Sequence, residues 1–198
     1  MSTSFAVTWD YRCPFARIGH QHVLAGVRDG ADWDVRFVPF SLGQMHVEEG
    51  QPDVWDKPAN ESGLLALQVG TVVRDQFPDQ FPAVHLGLFD GRHVDALDLR
   101  ERDVLGEILD ANGVPRAAVF DEIDGGGPLD VVRKEHEAAV AESNVWGVPT
   151  FVQGDRAVFI RLMNSPTDDA DGHATVDRVL DLLAWTDLNE FKATSIPR

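Results

Sequence analysis

The sequence has one cysteine among its 198 residues, Cys13, so no disulfide can form within the chain. It has no uninterrupted apolar run of the roughly 18 residues that a membrane-spanning helix needs. Its first residues, Met1-Ser2-Thr3-Ser4, lack a charged segment followed by an apolar one, so we expect no signal peptide. Together these absences predict a protein of the reducing cytoplasm with no membrane partner.

Positive charge is also scarce. The chain has 17 basic and 33 acidic residues, a net charge of −16, and no local basic patch. Such a surface repels phosphate backbones and anionic membranes, so we expect no nucleic-acid partner. None of the seven histidines has the spacing of a zinc ligand set, and His20 is expected at the surface. We therefore predict no metal site.

The remaining composition is that of an ordinary globular protein, with 43% hydrophobic and 25% charged residues. The first forty residues predict a βαβ unit. Residues Phe5 to Tyr11 favour a strand, Pro14 begins a helix that runs to about Val27, and Val35 to Phe40 favours a second strand. The length fits one domain, or one domain with a large insert.

The rest of the chain predicts a block of helices followed by two strands and a final helix. Gly125-Gly126-Gly127 does not follow a strand, so we expect a linker there rather than a phosphate loop. The predicted elements are helices at Gly63–Phe77, Gln80–Val94, Asp98–Asn112, after Pro115 and at Leu129–Ser143, strands at Thr150–Gln153 and Ala157–Met163, and a helix containing Val176, Val179, Leu180, Leu183 and Ala184.

Cys13 is the main candidate for chemistry because it lies between a predicted strand and a helix that starts with proline. Unpaired N–H groups and the positive end of the helix dipole stabilise a thiolate at that position. Arg12 and Arg17 are expected to add positive charge, so we predict a depressed pKa for the thiol. The alternative is a buried, inert cysteine.

Pro149 is the second candidate, since it follows Val148 and precedes an apolar strand. A proline there marks a strand entrance or a special turn, and an ordinary trans turn proline is the alternative. Trp146, three residues earlier, is expected to face a substrate groove.

Several segments together resemble one family. They are Asp10-Tyr11-Arg12-Cys13-Pro14-Phe15-Ala16, Phe89-Asp90-Gly91-Arg92-His93, Gly147-Val148-Pro149-Thr150-Phe151 and Phe159-Ile160-Arg161-Leu162-Met163. They resemble the DsbA-like branch of the thioredoxin superfamily, which includes FrnE-type members and 2-hydroxychromene-2-carboxylate isomerases. The resemblance covers nearly the whole chain. It implies an α/β thioredoxin-like fold with a mixed sheet, a core formed by residues 1–42 and 145–198, and a helical insertion at 43–144.

The resemblance also implies roles for individual residues. Cys13 matches the N-terminal active-site cysteine, Pro149 the cis-proline, and Val148 the residue whose backbone pairs with an extended substrate. Pro14, Phe15 and Trp146 complete the expected substrate-binding set. Ala16 is a departure, because dithiol members have their second cysteine at that position.

Without a second cysteine, a mixed disulfide at Cys13 needs an external thiol for its release. The first hypothesis is therefore a thiol–disulfide oxidoreductase or thiol transferase that holds no tightly bound cofactor. Its partners would be a protein or small-molecule disulfide and glutathione or mycothiol as co-substrate. The second is a thiol-dependent isomerase or transferase, with a partly apolar cleft between core and helices. The third is a non-redox binding or chaperone-like module. A homodimer is left open.

Overall fold

The computed structural model describes residues 2–188, so positions 189–198 of the predicted core segment lie outside the described residues. Short 3₁₀ turns occupy Val54–Asp56 and Pro58–Asn60. The regular elements are β1 (Thr3–Trp9), α1 (Pro14–Arg28), β2 (Trp33–Pro39), α2 (Leu42–Met45), α3 (Leu64–Gln76), α4 (Phe81–His93), α5 (Arg102–Ala111), α6 (Arg116–Asp124), α7 (Gly127–Ser143), β3 (Thr150–Gln153), β4 (Arg156–Phe159) and α8 (Asp169–Ala184).

The strands form one mixed sheet in the order β2-β1-β3-β4. β1 and β2 are parallel and are connected by α1, whereas β3 is antiparallel to both β1 and β4. Val7 at the centre of β1 pairs with Phe37 on one side and with Phe151 on the other. This arrangement confirms the predicted α/β fold with a mixed sheet.

One apolar cluster joins the sheet to α1 and α8. Its buried members are Phe5, Val7, Val23, Phe151, Val176, Val179, Leu180 and Leu183. α1 and α8 approach closely at Gly172, where an added Cβ would lie 2.4 Å from the Cβ of Ala25. A side chain at that position would therefore separate the two helices and open this part of the core.

A second, larger cluster joins the helices between β2 and β3 to the sheet. Trp9, Tyr11 and Phe40 from the first forty residues pack with Leu67 of α3 and Leu88 of α4, among others. The helical segment thus shares its core with β1. The division into a core and an inserted domain at 43–144 stays a prediction. Within residues 2–188, no helix is both long and apolar enough to cross a membrane.

Several predicted boundaries were wrong, and a local hydrogen bond explains two of them. β1 ends at Trp9 rather than Tyr11, since the Asp10 carboxylate accepts the backbone N–H of Arg12 at 2.9 Å and closes a turn. α5 begins at Arg102 rather than Asp98, whose carboxylate instead accepts the N–H of Arg100 at 3.0 Å. β4 ends at Phe159, the partner of the first β3 residue, rather than at Met163.

The glycine-rich stretch connects α6 to α7 and is shorter than the predicted linker, because its last glycine belongs to α7. Gly126 adopts a left-handed conformation with φ 83°, and α7 begins at the next residue, Gly127. Pro128 then occupies the first turn of this helix, where no backbone N–H is required. The stretch therefore forms a short turn between α6 and α7.

Candidate active site around Cys13

Cys13 is the residue that caps the N-terminus of α1. Its N–H donates to the carbonyl of Asp10 at 3.0 Å, which fixes the turn after β1. Its Sγ accepts a hydrogen bond from the N–H of Ala16 at 3.4 Å. The sulfur therefore satisfies one of the N–H groups of the first helical turn that have no partner within the helix. Pro14 occupies the next position and is exposed. The thiol is thus held by the helix start and remains half-buried.

Val148 and Pro149 lie directly beside this thiol. The Sγ of Cys13 donates to the carbonyl oxygen of Val148 at 3.2 Å, and the Val148–Pro149 peptide bond is cis. Gly19 of α1 makes room for the proline ring, because an added Cβ there would lie 2.9 Å from Pro149 Cγ. The structure therefore brings Cys13, Val148 and Pro149 together.

The predicted depression of the Cys13 pKa was wrong. Burial raises the pKa of the thiol above its ordinary value, and this effect exceeds the lowering by the N–H groups of Ala16 and Phe15. The nearby Asp10 carboxylate raises the pKa further, whereas Arg161 lowers it. The thiol is therefore mainly protonated at neutral pH when no substrate is present.

The two arginines expected to activate the thiol are held by carboxylates. Arg12 pairs with Asp10 at 3.0 Å and also with Glu61, and Arg17 pairs with Asp90 at 2.7 Å. Asp10 is fully buried and also accepts the N–H of Leu42 at 2.8 Å. This buried carboxylate organises the turn before Cys13, and sequence reasoning missed it because its partner Leu42 lies 32 residues away.

Arg161 is the cation that sequence reasoning overlooked. Its guanidinium lies over the ring of Phe15, with Cζ 4.3 Å from the ring centroid. Within residues 2–188 it forms no ion pair, so its donors remain available beside the thiol. Its segment, Phe159 to Met163, supported the family resemblance, but no pattern in it indicated a role.

Trp146 is exposed near the site, and its expected role in substrate binding stays a prediction. Its side chain is 62% exposed and packs on Phe159, with ring centroids 4.7 Å apart. No described contact joins it to Cys13 or Phe15. Trp146 is near the site in sequence, because only Gly147 separates it from Val148.

A cavity of about 430 Å³ lies between the turn before Cys13 and the helical segment. The second hypothesis predicted a cleft there with an apolar part, and the lining combines three arginines with apolar residues such as Ala66 and Leu99. Arg92 forms no ion pair within residues 2–188, whereas Arg100 pairs with Asp98. The lining residues are Tyr11, Arg12, Ser62, Gly63, Ala66, Arg92, Ala96, Asp98, Leu99 and Arg100. This volume lies within the range of small-ligand sites.

The expected surface position of His20 was also wrong, since its side chain is fully buried. Its ring forms one hydrogen bond with the ring of His85 on α4 and another with the carbonyl oxygen of Thr8 in β1. No group of three or more potential metal ligands occurs within the described residues.

The family model of the DSBA-like thioredoxin domain matches residues 7–172, a span that includes the cysteine, its helix and the cis-proline. This chain belongs to that family. Membership in the DSBA family supports the predicted class of enzyme, an oxidoreductase acting on thiol and disulfide groups.

Comparison with solved structures gives the same fold. The cytosolic disulfide reductase DsbM from Pseudomonas aeruginosa, solved with GSH, is similar with a TM-score of 0.63 and 15% identity, over 90% of this chain and 99% of that one. A 2-hydroxychromene-2-carboxylate isomerase is similar with a TM-score of 0.61 and 13% identity, over 91% and 96%. DsbA from Xylella fastidiosa is similar with a TM-score of 0.59 and 15% identity, over 91% and 85%. No curated protein matches the chain.

Proposed function

We propose that the protein is a single-cysteine thiol–disulfide oxidoreductase that works with an external low-molecular-weight thiol. The observation that carries the proposal is the position of the Cys13 Sγ, at the start of α1 and 3.2 Å from the carbonyl of Val148. This geometry leaves a half-buried sulfur beside a backbone edge with which an extended substrate can pair. Ala16 excludes a second thiol from the same helical turn.

The reaction requires two exchanges. In the first, the Cys13 thiolate attacks the glutathione sulfur of a protein–glutathione mixed disulfide. The substrate S–S bond breaks, a new one forms at Cys13, and the protein leaves as a thiolate that takes up a proton. In the second, a free glutathione thiolate attacks this new bond, so glutathione disulfide is released and Cys13 recovers its proton.

The raised pKa of Cys13 requires an activation step. The hydrogen bond to Val148 stabilises the protonated thiol, because the thiol is its donor. A substrate N–H that pairs with the Val148 carbonyl competes for this acceptor. We therefore propose that substrate binding weakens the bond and lowers the pKa, so that the thiolate forms mainly in the complex.

Arg161 supports a co-substrate that bears a carboxylate. Its guanidinium, held over Phe15, offers donors that suit a carboxylate near the thiol. Glutathione carries carboxylates and mycothiol carries none, so we propose glutathione as the better co-substrate. A reducing cytoplasm would supply it, and the similar DsbM is described as cytosolic.

The arginine-lined cavity favours a second candidate, a thiol-dependent isomerase or transferase acting on a small carboxylate. Arg92, unpaired within residues 2–188, would bind the carboxylate of that substrate. Arg12 lines the same cavity and precedes Cys13 in the chain, so a ligand there would lie near the site. In this version Cys13 positions a bound thiol and forms no disulfide.

A turnover assay tests the first candidate. A glutathionylated peptide is incubated with excess glutathione, and glutathione disulfide formation is followed through its reduction by glutathione reductase. Wild-type protein should accelerate release of the peptide thiol, and Cys13→Ser should abolish the acceleration. Turnover retained in Cys13→Ser would contradict the proposal. Glutathione binding by calorimetry that survives Cys13→Ser, with no turnover in either protein, would favour the second candidate.

A further inference from the structure

Three buried side chains form a continuous hydrogen-bonded chain that starts in the turn after β1, passes through α4 and α1, and ends at β1. The Tyr11 hydroxyl lies 2.7 Å from His85 Nδ1, and His85 Nε2 lies 2.9 Å from His20 Nδ1. The chain ends where His20 Nε2 lies 3.1 Å from the carbonyl oxygen of Thr8. All three side chains are at most 1% exposed.

When both rings are neutral, the three hydrogen bonds can be donated in only one direction. The Thr8 carbonyl can only accept, so His20 carries its proton on Nε2 and accepts at Nδ1. His85 must then donate from Nε2 to His20 and accept at Nδ1, which leaves the Tyr11 hydroxyl as the first donor. Every nitrogen and hydroxyl of the chain is thereby satisfied.

The surroundings keep the rings neutral. Trp9, Phe81 and Phe89 pack around His85, with ring centroids between 4.7 and 5.2 Å from it. Burial lowers the pKa of His85 well below its ordinary value and that of His20 to about 4. Burial also raises the pKa of Tyr11, which keeps its hydroxyl a donor.

Both ends of the chain lie next to the active-site segments. Tyr11 stands two residues before Cys13, in the turn that Asp10 organises. Thr8 accepts the N–H of Thr150 on its Oγ1 at 2.9 Å, and Thr150 directly follows Pro149. The hydrogen-bonded chain thus links the turn that carries the thiol, through His85 of α4 and His20 of α1, to Thr8, which in turn accepts the N–H of Thr150 next to the Val148–Pro149 peptide.

We propose that the Tyr11–His85–His20–Thr8 chain positions the Cys13 turn against the Val148–Thr150 segment, with His85 and His20 as positioning residues. This inference rests on the proposed function only in taking Cys13 as the reactive centre. The chain sets the separation at which the Cys13 thiol reaches the Val148 carbonyl. Loss of a member lets the two segments move apart, so the thiol loses its acceptor and gains solvent.

The test uses thiol reactivity, which requires no enzymatic turnover. Tyr11→Phe removes one donor and leaves His85 Nδ1 unsatisfied. Its Cys13 should be alkylated by iodoacetamide about threefold faster or more at neutral pH, because weaker desolvation raises the thiolate fraction. The midpoint of the thiolate absorbance titration should shift to lower pH by a matching amount.

Thr71→Val is the matched control, since Thr71 also has a buried hydroxyl but donates it to Leu67 within α3. This variant should lose stability without a change in Cys13 reactivity. Imidazole ¹⁵N shifts of wild-type protein should show the Nε2–H tautomer at His20 and His85. An Nδ1–H tautomer at His85, or unchanged reactivity in a folded Tyr11→Phe, would overturn the inference. Absence of disulfide turnover would affect only the proposed function.

Discussion

The Cys13 sulfur donates a hydrogen bond to the carbonyl oxygen of Val148 at 3.2 Å beside the cis-proline, and burial raises the pKa of the same thiol. A cysteine at a helix N-terminus usually has a lowered pKa. In this protein burial outweighs the helix start, and the neighbouring Asp10 adds to the effect. Because burial and the helix N-terminus shift the pKa in opposite directions, the location of this thiol at a helix N-terminus does not by itself make it reactive.

The first prediction concerns the pH dependence of Cys13 in the free protein. Because its pKa is raised, the alkylation rate should be low at neutral pH and should rise through a midpoint above that of an ordinary thiol. Stopped-flow alkylation across pH 6 to 10 gives this midpoint, with the same cysteine in urea-unfolded protein as control. A folded midpoint at or below the unfolded one would contradict the assignment.

The second prediction concerns Arg161, which lowers the Cys13 pKa from its position over Phe15. Arg161→Ala should slow alkylation by only about twofold, since its charge is solvent-exposed and screened. Turnover with glutathione should fall more, through a KM raised roughly tenfold by the loss of a charge-assisted hydrogen bond.

Arg178→Ala is the matched control for this variant. Arg178 is an exposed arginine of α8 that forms no ion pair within residues 2–188. Both kinetic constants should stay unchanged in that protein. An equal KM for glutathione in the two variants would show that Arg161 does not bind the co-substrate.

The third prediction concerns the packing of α1 on the cis-proline. Gly19→Ala places a Cβ 2.9 Å from Pro149 Cγ, so the helix or the proline must move. We expect a loss of about 1–3 kcal/mol of unfolding free energy from overpacking, measured by urea denaturation. Gly127→Ala, where no atom lies within 4 Å of the added Cβ, should be neutral or slightly stabilising. Equal stabilities would show that the contact is not tight.

The local features of this site could be predicted from sequence and the long-range ones could not. Cys13 and Pro14 lie in one short motif, so their place at the start of α1 follows from neighbouring residues. The burial of His20 depends on His85, 65 residues away on another helix. Arg161 likewise becomes relevant only because the fold places it over Phe15.

The fourth prediction concerns stability in mild acid. Burial lowers the pKa of both His20 and His136 to about 4, whereas the unfolded chain titrates near 6.5. Between these values the unfolded state binds more protons, so stability is complete above pH 6.5 and falls as the pH drops toward 4. Each histidine contributes up to about 3 kcal/mol at neutral pH.

Urea denaturation at pH 7, 6 and 5 measures this loss. Exposed carboxylates with lowered pKa, such as Asp98, lose their contribution only at lower pH, so they do not account for a change in this window. His136→Phe should show a smaller loss between pH 7 and 5, and His46→Gln, with an exposed ring, should follow the wild type. A pH-independent stability from 7 to 5 would contradict the buried neutral rings.

The fifth prediction concerns the missing resolving thiol. Ala16 is fully buried and its N–H donates to the Cys13 sulfur, so Ala16→Cys places a second sulfur in the same turn. This variant should convert a mixed disulfide at Cys13 into an internal disulfide and release the bound thiol. Ala16→Ser, of similar size, should retain the mixed disulfide. Equal adduct lifetimes in the two folded variants would count against resolution in cis.

The central claim, that Cys13 alone forms an exchangeable mixed disulfide, is tested most directly by intact mass. Folded protein is incubated with the oxidised forms of glutathione and mycothiol, and the adduct is then exposed to the free thiol. The account predicts one glutathione adduct per chain, less with mycothiol, full reversal by free glutathione and no adduct on Cys13→Ser. A Cys13 that stays unmodified when folded but reacts when unfolded would contradict it.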